Sequence, residues 1–286
     1  MAAADETFTL LLSLDGASSG VEAALVRVAF GREHDRKGHA VLDARVEELW
    51  NAAVESNPRI FNGSKFRLRS IAWADGGAAV DIVLGLTGYK EYLGTNRLPE
   101  HERLQLERDG EAAHGDRGAH LSNALGCEAV LVTGDEQLVL LRRSGAVATH
   151  SGLYNGPSGH PEPNRADGAE ATSASAEAAV VAAVRAELFD SVLQEVVEET
   201  NIPREELSMP VLIGCMADST GKPDLLFLVR TRLHAEGVRA RFAEGAVEGW
   251  ESDRLTFCPI SGLPDCALPM TAVTRAAVAC FQRLPR

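Results

Sequence analysis

The ten residues LQEVVEETNI, at positions 193–202, decide the fold of this chain. They close an Ala-rich segment, residues 176–200, that contains no Gly or Pro and stops just before a proline, so it predicts a long helix. Because a helix advances by about 100° per residue, Glu195, Glu198 and Glu199 project from one side of it, and apolar residues cover the adjoining sector. We therefore expect a helix that packs on one face and presents a row of carboxylates beside that face.

This row of carboxylates has two interpretations. Carboxylates spaced at i, i+3 and i+4 repel one another and destabilise an isolated helix, so a compensating charge is expected. A hard divalent cation with oxygen ligands, such as Mg²⁺, is the natural partner for such a row. The alternative is a solvated acidic helix surface. Glu187, two turns earlier, points in nearly the same direction as Glu198.

The same segment resembles the end of the Nudix box, GX5EX7REUXEEXGU, in which U is aliphatic. Glu195, Glu198 and Glu199 fall on the three metal-binding glutamates of that pattern, and Val196 and Ile202 fall on its two aliphatic positions. The resemblance implies that the three glutamates are catalytic residues and bind Mg²⁺, with Mn²⁺ as the alternative ion.

The match to the box has departures. Gln194 replaces the family arginine that holds a catalytic glutamate, and Asn201 replaces the glycine that ends the helix. The second change is mild, because Asn is the next-best residue for a left-handed position after a helix. Strict counting places the family's early glutamate on Ala186, on the core side of the helix. We assign its catalytic role instead to Glu187, which faces the carboxylates.

The beginning of the box is displaced. The stretch PSGHPE, residues 157–162, resembles the Pro-Gly-Gly entry to the box, and Gly159 lies 36 positions before Glu195, more than twice the family spacing. We expect the Ala/Ser-rich stretch around residues 165–184 to be an insertion.

Further segments resemble one branch of the family, the UDP-sugar diphosphatases of animals and plants. The likeness runs from near Thr7 to about Cys258. It implies a Nudix α/β/α sandwich with a β-rich N-terminal domain, and Mg²⁺-dependent hydrolysis of UDP-glucose or UDP-galactose to UMP and a sugar 1-phosphate. The segments that carry it are KFRLRS (65–70), LGLTGYKEYLGTN (84–96), LLRRS (140–144), SGHPEP (158–163) and LFDSVLQEVVEETNIP (188–203).

The chain is expected to contain two domains. Residues 97–120 are charged and weakly patterned, so we place the boundary there, between an N-terminal domain (1–120) that contributes to the substrate pocket and a Nudix hydrolase domain (121–286). The second block mixes strands and helices without regular alternation. That pattern favours a mixed α/β sandwich over a doubly wound sheet.

Four polar side chains are candidates for substrate binding. Thr95 and Asn96 are predicted to bind uracil or ribose from the N-terminal domain, because an amide pairs with an imide edge; the alternative is turn structure. Arg142 and Arg143 end a strand, and one of them is predicted to bind the diphosphate through forked hydrogen bonds. Strand alternation lets only one face inward, and the alternative is a surface pair.

Two residues next to the box complete the predicted binding set. Asn155 stands where the animal members have an acid, and Gly159 belongs to the displaced Pro-Gly-Gly element. Glu251 and Asp224 are candidate general bases from outside the helix, and the alternative is that both acids are simply solvated.

Composition narrows the classes of function. The 286 residues carry a net charge of −13, which is a poor match for a nucleic-acid backbone. No apolar run approaches the ~18 residues of a membrane span, and the acidic first residues are unlike a secretory signal. The five cysteines form no CxxC pair. We expect a cytoplasmic protein, with the nucleus as the alternative compartment, that binds a small nucleotide-sugar and neither nucleic acid nor membrane. The sequence leaves its oligomeric state open.

Two other functions remain open. One is a catalytically silent Nudix-fold module that only binds nucleotides, which Gln194, the insertion and the shifted Glu187 favour. The three retained glutamates argue against it. The other is a hydrolase of different nucleoside diphosphate derivatives, such as ADP-ribose.

Overall fold

A computed structural model describes residues 7–14, 19–145, 150–163, 174–247 and 250–285. The strands are β1 (Thr9–Ser13), β2 (Val26–Phe30), β3 (Ser64–Ala74), β4 (Ala79–Gly88), β5 (Gly126–Val132), β6 (Gln137–Arg143), β7 (Tyr154–Asn155), β8 (Ser158–Gly159), β9 (Val211–Ala217), β10 (Pro223–Arg230) and β11 (Ser252–Pro259). The α-helices are α1 (Ala40–Ser56), α2 (Tyr89–Gly94), α3 (Glu100–His114), α4 (Ala174–Thr200), α5 (Ala235–Ala243) and α6 (Ala272–Gln282).

The larger sheet has the strand order β1-β9-β10-β5-β6-β11. Strand β10 runs parallel to β5, and the other pairs along this order are antiparallel. The short strands β7 and β8 pair with β6 and β5, respectively, and so bring the loop that contains Gly159 onto the sheet. The outermost strand, β1, comes from the start of the chain and pairs with β9.

Helices cover both faces of this sheet. The Cys127 Sγ on β5 lies 3.9 Å from Ser191 Oγ on α4, and the next residue, Glu128, hydrogen-bonds Thr274 on α6. Since successive side chains of a strand point to opposite faces, α4 and α6 lie on opposite sides. The apolar face of α4 is anchored by Phe189, whose ring centroid is 5.1 Å from that of Phe227. The predicted α/β/α sandwich is confirmed.

The N-terminal part contains a smaller sheet of order β2-β4-β3. The N-terminal part also contains the helices α1, α2 and α3, and α3 lies inside the weakly patterned stretch 97–120. The sequence did not reveal α3 because charged residues surround it; its buried residues are only Arg103, Leu106 and Gly110. Such a helix lacks the apolar stripe that normally signals an amphipathic helix.

The two sheets share one hydrophobic core. Phe66 and Ile82 of the smaller sheet belong to the same buried cluster as Leu131 and Val196. Strand β1 also crosses from the N-terminal part into the larger sheet. The domain division at residue 120 stays a prediction, and any such division must accommodate this shared core and crossing strand.

The structure describes only part of the predicted insertion. Residues 165–173 of the Ala/Ser-rich stretch lie outside the described residues, and residues 174–184 form the first turns of α4.

In the described ranges, no helix combines the length and apolar composition that a membrane crossing requires. All five cysteines are free thiols, and four of them are buried.

Candidate functional site

Glu195 lies directly against the 155–159 loop. A Cβ built on Gly159 would be 1.8 Å from Glu195 Oε1, so the carboxylate occupies the space that any other residue's side chain would need. Position 159 therefore requires glycine because of this close approach. The displaced element of the box and the helix are thus brought together, despite the long stretch of chain between them.

Glu199 is the buried end of the carboxylate row. It is 3% exposed, and its Oε1 accepts a hydrogen bond of 2.9 Å from the Ser158 backbone N–H. Burial raises the pKa of Glu199 well above its usual range, and the charges of Glu195 and Glu251 act in the same direction. The Ser158 hydrogen bond and the charge of Arg143 oppose that shift. The surroundings of Glu199 therefore disfavour its ionised form.

The other two predicted glutamates have separate partners. Glu198 Oε1 accepts a hydrogen bond from Gln194 Nε2, so Gln194 holds a glutamate in the role expected of the family arginine. Glu187 Oε1 accepts a hydrogen bond of 3.2 Å from the Glu162 N–H. Ala186 is exposed, so our interpretation that it faces the core is wrong. The assignment of the catalytic role to Glu187 stays a prediction.

The described residues contain no group of three or more His, Cys, Asp or Glu side chains arranged to hold a metal ion. The carboxylates of Glu199, Glu198 and Glu187 each turn toward a different hydrogen-bond donor. The assignment of Glu195, Glu198 and Glu199 as joint metal ligands therefore stays a prediction.

Next to the row is an acidic cleft of ≈ 450 Å³. Five of its lining residues are acids, and one, Arg204, is strongly basic. The lining residues are His160, Glu162, Glu187, Asp190, Ser191, Gln194, Glu195, Glu198 and Arg204. Such a cleft repels a free diphosphate and attracts a cation, in agreement with an oxygen-ligand donor set.

The two candidate arginines face different surroundings. Arg142 binds Asp253 through two hydrogen bonds, from Nε at 2.7 Å and from Nη2 at 2.8 Å, on the outer side of β6. The charge of Arg143 acts on Glu199. Strand alternation puts Arg143 on the side of the sheet that α4 covers, while Arg142 forms the surface pair that was the alternative interpretation. Substrate binding by either arginine stays a prediction.

Thr95 and Asn96 are both 0% exposed. Asn96 Nδ2 donates 3.1 Å hydrogen bonds to Thr220 O and to Asn123 Oδ1, and its Oδ1 accepts from the Asn123 N–H. Thr95 Oγ1 donates to Glu91 O and accepts from a backbone N–H. Asn96 thus joins the N-terminal part to the turn between β9 and β10, whereas Thr95 bonds only within residues 91–122. Neither presents a surface to a nucleotide, so their predicted substrate contact lacks support here.

Sequence reasoning missed two lysines that adjoin the site. Burial, together with the charges of Lys222 and Lys65, holds the pKa of His160 well below its usual range, so this cleft residue is neutral near pH 7. Lys222 Nζ donates a 2.6 Å hydrogen bond to Asp224 Oδ1. Burial nevertheless raises the pKa of Asp224 to about 6, against the lowering effect of Lys222. Glu251 acts electrostatically on Glu199. In the sequence, Lys65 is the first residue of KFRLRS, and Lys222 follows a glycine in the turn between β9 and β10.

Asn155 is buried rather than presented to the cleft. It is 2% exposed, and its Nδ2 donates a 3.0 Å hydrogen bond to Ser158 Oγ. The side chain of Asn155 is therefore bonded within the 155–159 loop, to the residue whose N–H contacts Glu199. Its direct contact with substrate stays a prediction.

The donor set suits a hard divalent cation. Glu195 acts on the buried Glu199 as a like charge, and two carboxylates in a low-dielectric setting favour a compensating cation. All the candidate ligands are carboxylate oxygens, as Mg²⁺ and similar ions prefer. The residues present therefore fit such an ion in chemical type.

The sequence of the chain is similar to those of known Nudix proteins from animals and a plant. The chain is 37% identical over 243 residues to the uridine diphosphate glucose pyrophosphatase NUDT22 of Mus musculus. The aligned residues cover 83% of this chain and 77% of that protein. The human protein of the same name is 35% identical over 260 residues, covering 88% of this chain and 83% of that protein. Nudix hydrolase 9 of Arabidopsis thaliana is 32% identical over 261 residues, covering 87% and 81%. No family model matches the chain.

Proposed function

Because this chain belongs to the Nudix hydrolase family, we propose that it hydrolyses the diphosphate of UDP-sugars, UDP-glucose or UDP-galactose, to UMP and a sugar 1-phosphate. The observation that carries the proposal is the identity of 35–37% to relatives named for UDP-glucose, which spans 83–88% of the chain and so extends into its N-terminal part. The close contact of Glu195 with Gly159 supports this proposal, because the contact brings the two separated parts of the Nudix box together.

We assign the binding of a divalent cation, Mg²⁺ in the first place, to Glu195, Glu198 and Glu199. When bound, such an ion neutralises diphosphate oxygens and lowers the pKa of the attacking water. The chain's own part is positioning: Ser158 N–H orients Glu199, and Gln194 holds Glu198. Glu187 stays in the cleft through its bond to Glu162 N–H.

Two groups outside the helix complete the proposed machinery. Arg143 contributes positive charge next to Glu199, where it can bind phosphoryl oxygens through forked hydrogen bonds. Glu251 is the better candidate for the general base, because Asp224 is already paired with Lys222. Preorganised charge and positioning then supply most of the rate enhancement.

We also propose a cytoplasmic location, which the five free thiols support, since reducing compartments keep cysteines unpaired. The partner we propose is a small nucleotide-sugar.

The test is a turnover assay on the purified full-length chain. UDP-glucose is incubated with Mg²⁺, with an EDTA-treated sample as the control, and UMP and glucose 1-phosphate are separated by chromatography. We expect UMP only in the Mg²⁺ sample, and much less product from ADP-ribose. Equal or better turnover of ADP-ribose contradicts the UDP-sugar proposal, and no turnover of either substrate favours the silent binding module.

A further inference from the structure

A carboxyl group lies where a strand is otherwise apolar. Glu128 is the third residue of GCEAVLV, the sequence of β5, and is 1% exposed. Its side chain points to the face covered by α6, away from the carboxylate row of α4. Burying an ionised acid in such a strand costs free energy, so either the charge is compensated or the acid is un-ionised.

The hydrogen bonds of Glu128 are incomplete. Its Oε1 accepts a 3.3 Å hydrogen bond from the Gly156 N–H, and it also hydrogen-bonds the side chain of Thr274. Among the described residues, nothing donates to its buried Oε2 or to the buried Oδ1 of Asn155, which is the residue before Gly156. Two acceptor oxygens, one on Glu128 and one on the residue that precedes its hydrogen-bond donor, thus lack a donor in the described part of the chain.

A single proton removes the charge that makes this burial costly. An un-ionised carboxyl has an O–H that donates, whereas an ionised one only accepts. With a proton, the buried Oε2 of Glu128 is no longer an unpaired charged acceptor. The surroundings favour this form: burial raises the pKa of Glu128 to about 8, the charge of Asp224 on β10 adds to the shift, and the charge of Arg143 on β6 opposes it. The groups facing it from α6 and from the 155–159 loop, Thr274 and the Gly156 N–H, carry no charge.

The loop held in this way leads to the catalytic row. Glu128 fixes the Gly156 N–H, Asn155 Nδ2 donates to Ser158 Oγ at 3.0 Å, and Ser158 N–H donates to Glu199 Oε1 at 2.9 Å. Each step is one hydrogen bond. Backbone contacts hold the same loop as well, among them the 2.8 Å hydrogen bond from Ala129 N–H to Pro157 O.

We propose that Glu128 is an un-ionised carboxylic acid that positions the 155–159 loop and, through Ser158, orients Glu199. Glu128 is a positioning residue and touches neither substrate nor metal. The effect on catalysis rests on the proposed function, whereas the un-ionised state of Glu128 does not.

The first experiment detects the proton without any turnover. Infrared difference spectra at neutral pH compare the wild-type chain with Glu128→Gln. We expect the carbonyl band of an un-ionised carboxyl in the wild type and its loss in the variant. Glu236→Gln, at an exposed position of α5, is the matched control and should keep the band. If the Glu128→Gln difference spectrum contains only a carboxylate signal, the proposal is overturned, even where the chain proves to hydrolyse a different substrate.

The second experiment tests the positioning role. Glu128→Gln keeps the shape of the un-ionised acid and its donor, so it should retain most of the wild-type kcat. Glu128→Leu removes both donor and acceptor and should lower kcat about 10- to 100-fold, with KM changed little, as for the loss of an outer hydrogen-bond partner. The wild-type kcat should also fall above about pH 8, and Glu128→Gln should abolish that part of the pH profile. A Gln variant as damaged as the Leu variant, or a Leu variant with normal kcat, contradicts the role. If the Leu variant fails to fold, the pH profile of the Gln variant decides.

Discussion

The Ser158 backbone N–H donates a hydrogen bond of 2.9 Å to Oε1 of the buried Glu199. Ser158 stands where the resembled family has a glycine, and the contact uses only its backbone. The serine side chain is free to accept a hydrogen bond from Asn155. One residue thereby connects the loop to the end of the carboxylate row, and this explains why the substitution is compatible with the site.

Glu199→Gln separates a metal-binding row from a solvated acidic surface. The substitution keeps size and helix propensity and removes one charge from the row. We expect Mg²⁺-dependent turnover to fall by more than about 100-fold, beyond the loss seen when an outer partner of a metal ligand is removed. Stability should stay the same or increase, since burial disfavours the charge of Glu199 and repulsion with Glu195 is relieved. Steady-state kinetics and urea unfolding measure the two effects.

The matched control for this variant is Glu177→Gln, which makes the same change at an exposed position of the same helix. Its activity and stability should match those of the wild type. A Glu199→Gln protein with near-normal Mg²⁺-dependent turnover would refute the assignment of Glu199 as a metal ligand.

Gly159→Ala tests the close approach of the loop to α4. The added Cβ overlaps Glu195 Oε1 at 1.8 Å, so the carboxylate or the loop must move. A misplacement on the order of 1 Å lowers turnover by about 100-fold, and we expect that loss in kcat. Gly262→Ala is the control, because nothing lies within 4 Å of a Cβ at that position. Equal kinetics of the two variants would show that the position of Glu195 does not matter for turnover.

Arg143→Ala and Arg142→Ala form a pair that tests strand alternation. Loss of the charge of Arg143 should lower kcat/KM by about 10- to 100-fold, the effect of one charged hydrogen bond. Loss of Arg142 removes an exposed pair with Asp253 and should leave kinetics unchanged, since such pairs contribute about 0–1 kcal/mol to stability. If Arg142→Ala is the more damaged enzyme, the inward assignment of Arg143 is wrong.

Asn96→Ala should act on stability before it acts on substrate binding. The variant leaves buried groups of Asn123 and Thr220 without partners, and each such group costs about 1–3 kcal/mol. We therefore expect a lower free energy of unfolding in urea, with the KM of the folded fraction nearly unchanged. Arg97→Ala changes the exposed neighbouring residue and is the control. A raised KM without loss of stability would instead restore the direct substrate contact that the sequence predicted.

The stability of the chain should depend on pH through Glu128. Its pKa is about 8 in the folded chain and has an ordinary value of 4.5, so between these values the folded state holds a proton that the unfolded state releases. The contribution of Glu128 is therefore fully present below about pH 4.5 and is lost as pH rises toward 8. Melting temperatures from pH 5 to 9 should fall more steeply for the wild type than for Glu128→Gln. Parallel curves would show that Glu128 is ionised in both states.

Local features of the site were readable in the sequence because they depend on neighbours along one helix. The spacing of Glu195 and Glu199 decides that they share a side of α4, whatever surrounds it. Asn201 adopts a left-handed conformation with φ 59°, as predicted from its place after the helix. Helix α3 was missed because a helix with charges on all sides carries no periodic signal.

The roles of Asn96, Arg143 and Glu128 were decided only by the tertiary structure. The sequence could not tell that Asn96 meets Thr220, 124 positions away, or which of two adjacent arginines lies on the α4 side of the sheet. It placed an acid in an apolar strand without showing that one of its oxygens, like Oδ1 of Asn155, would be buried with no partner in the described ranges. Periodicity along a helix or strand records which side a residue occupies. What that side meets depends on how distant segments pack together, and this packing sets the burial, the partners and the charge of each group.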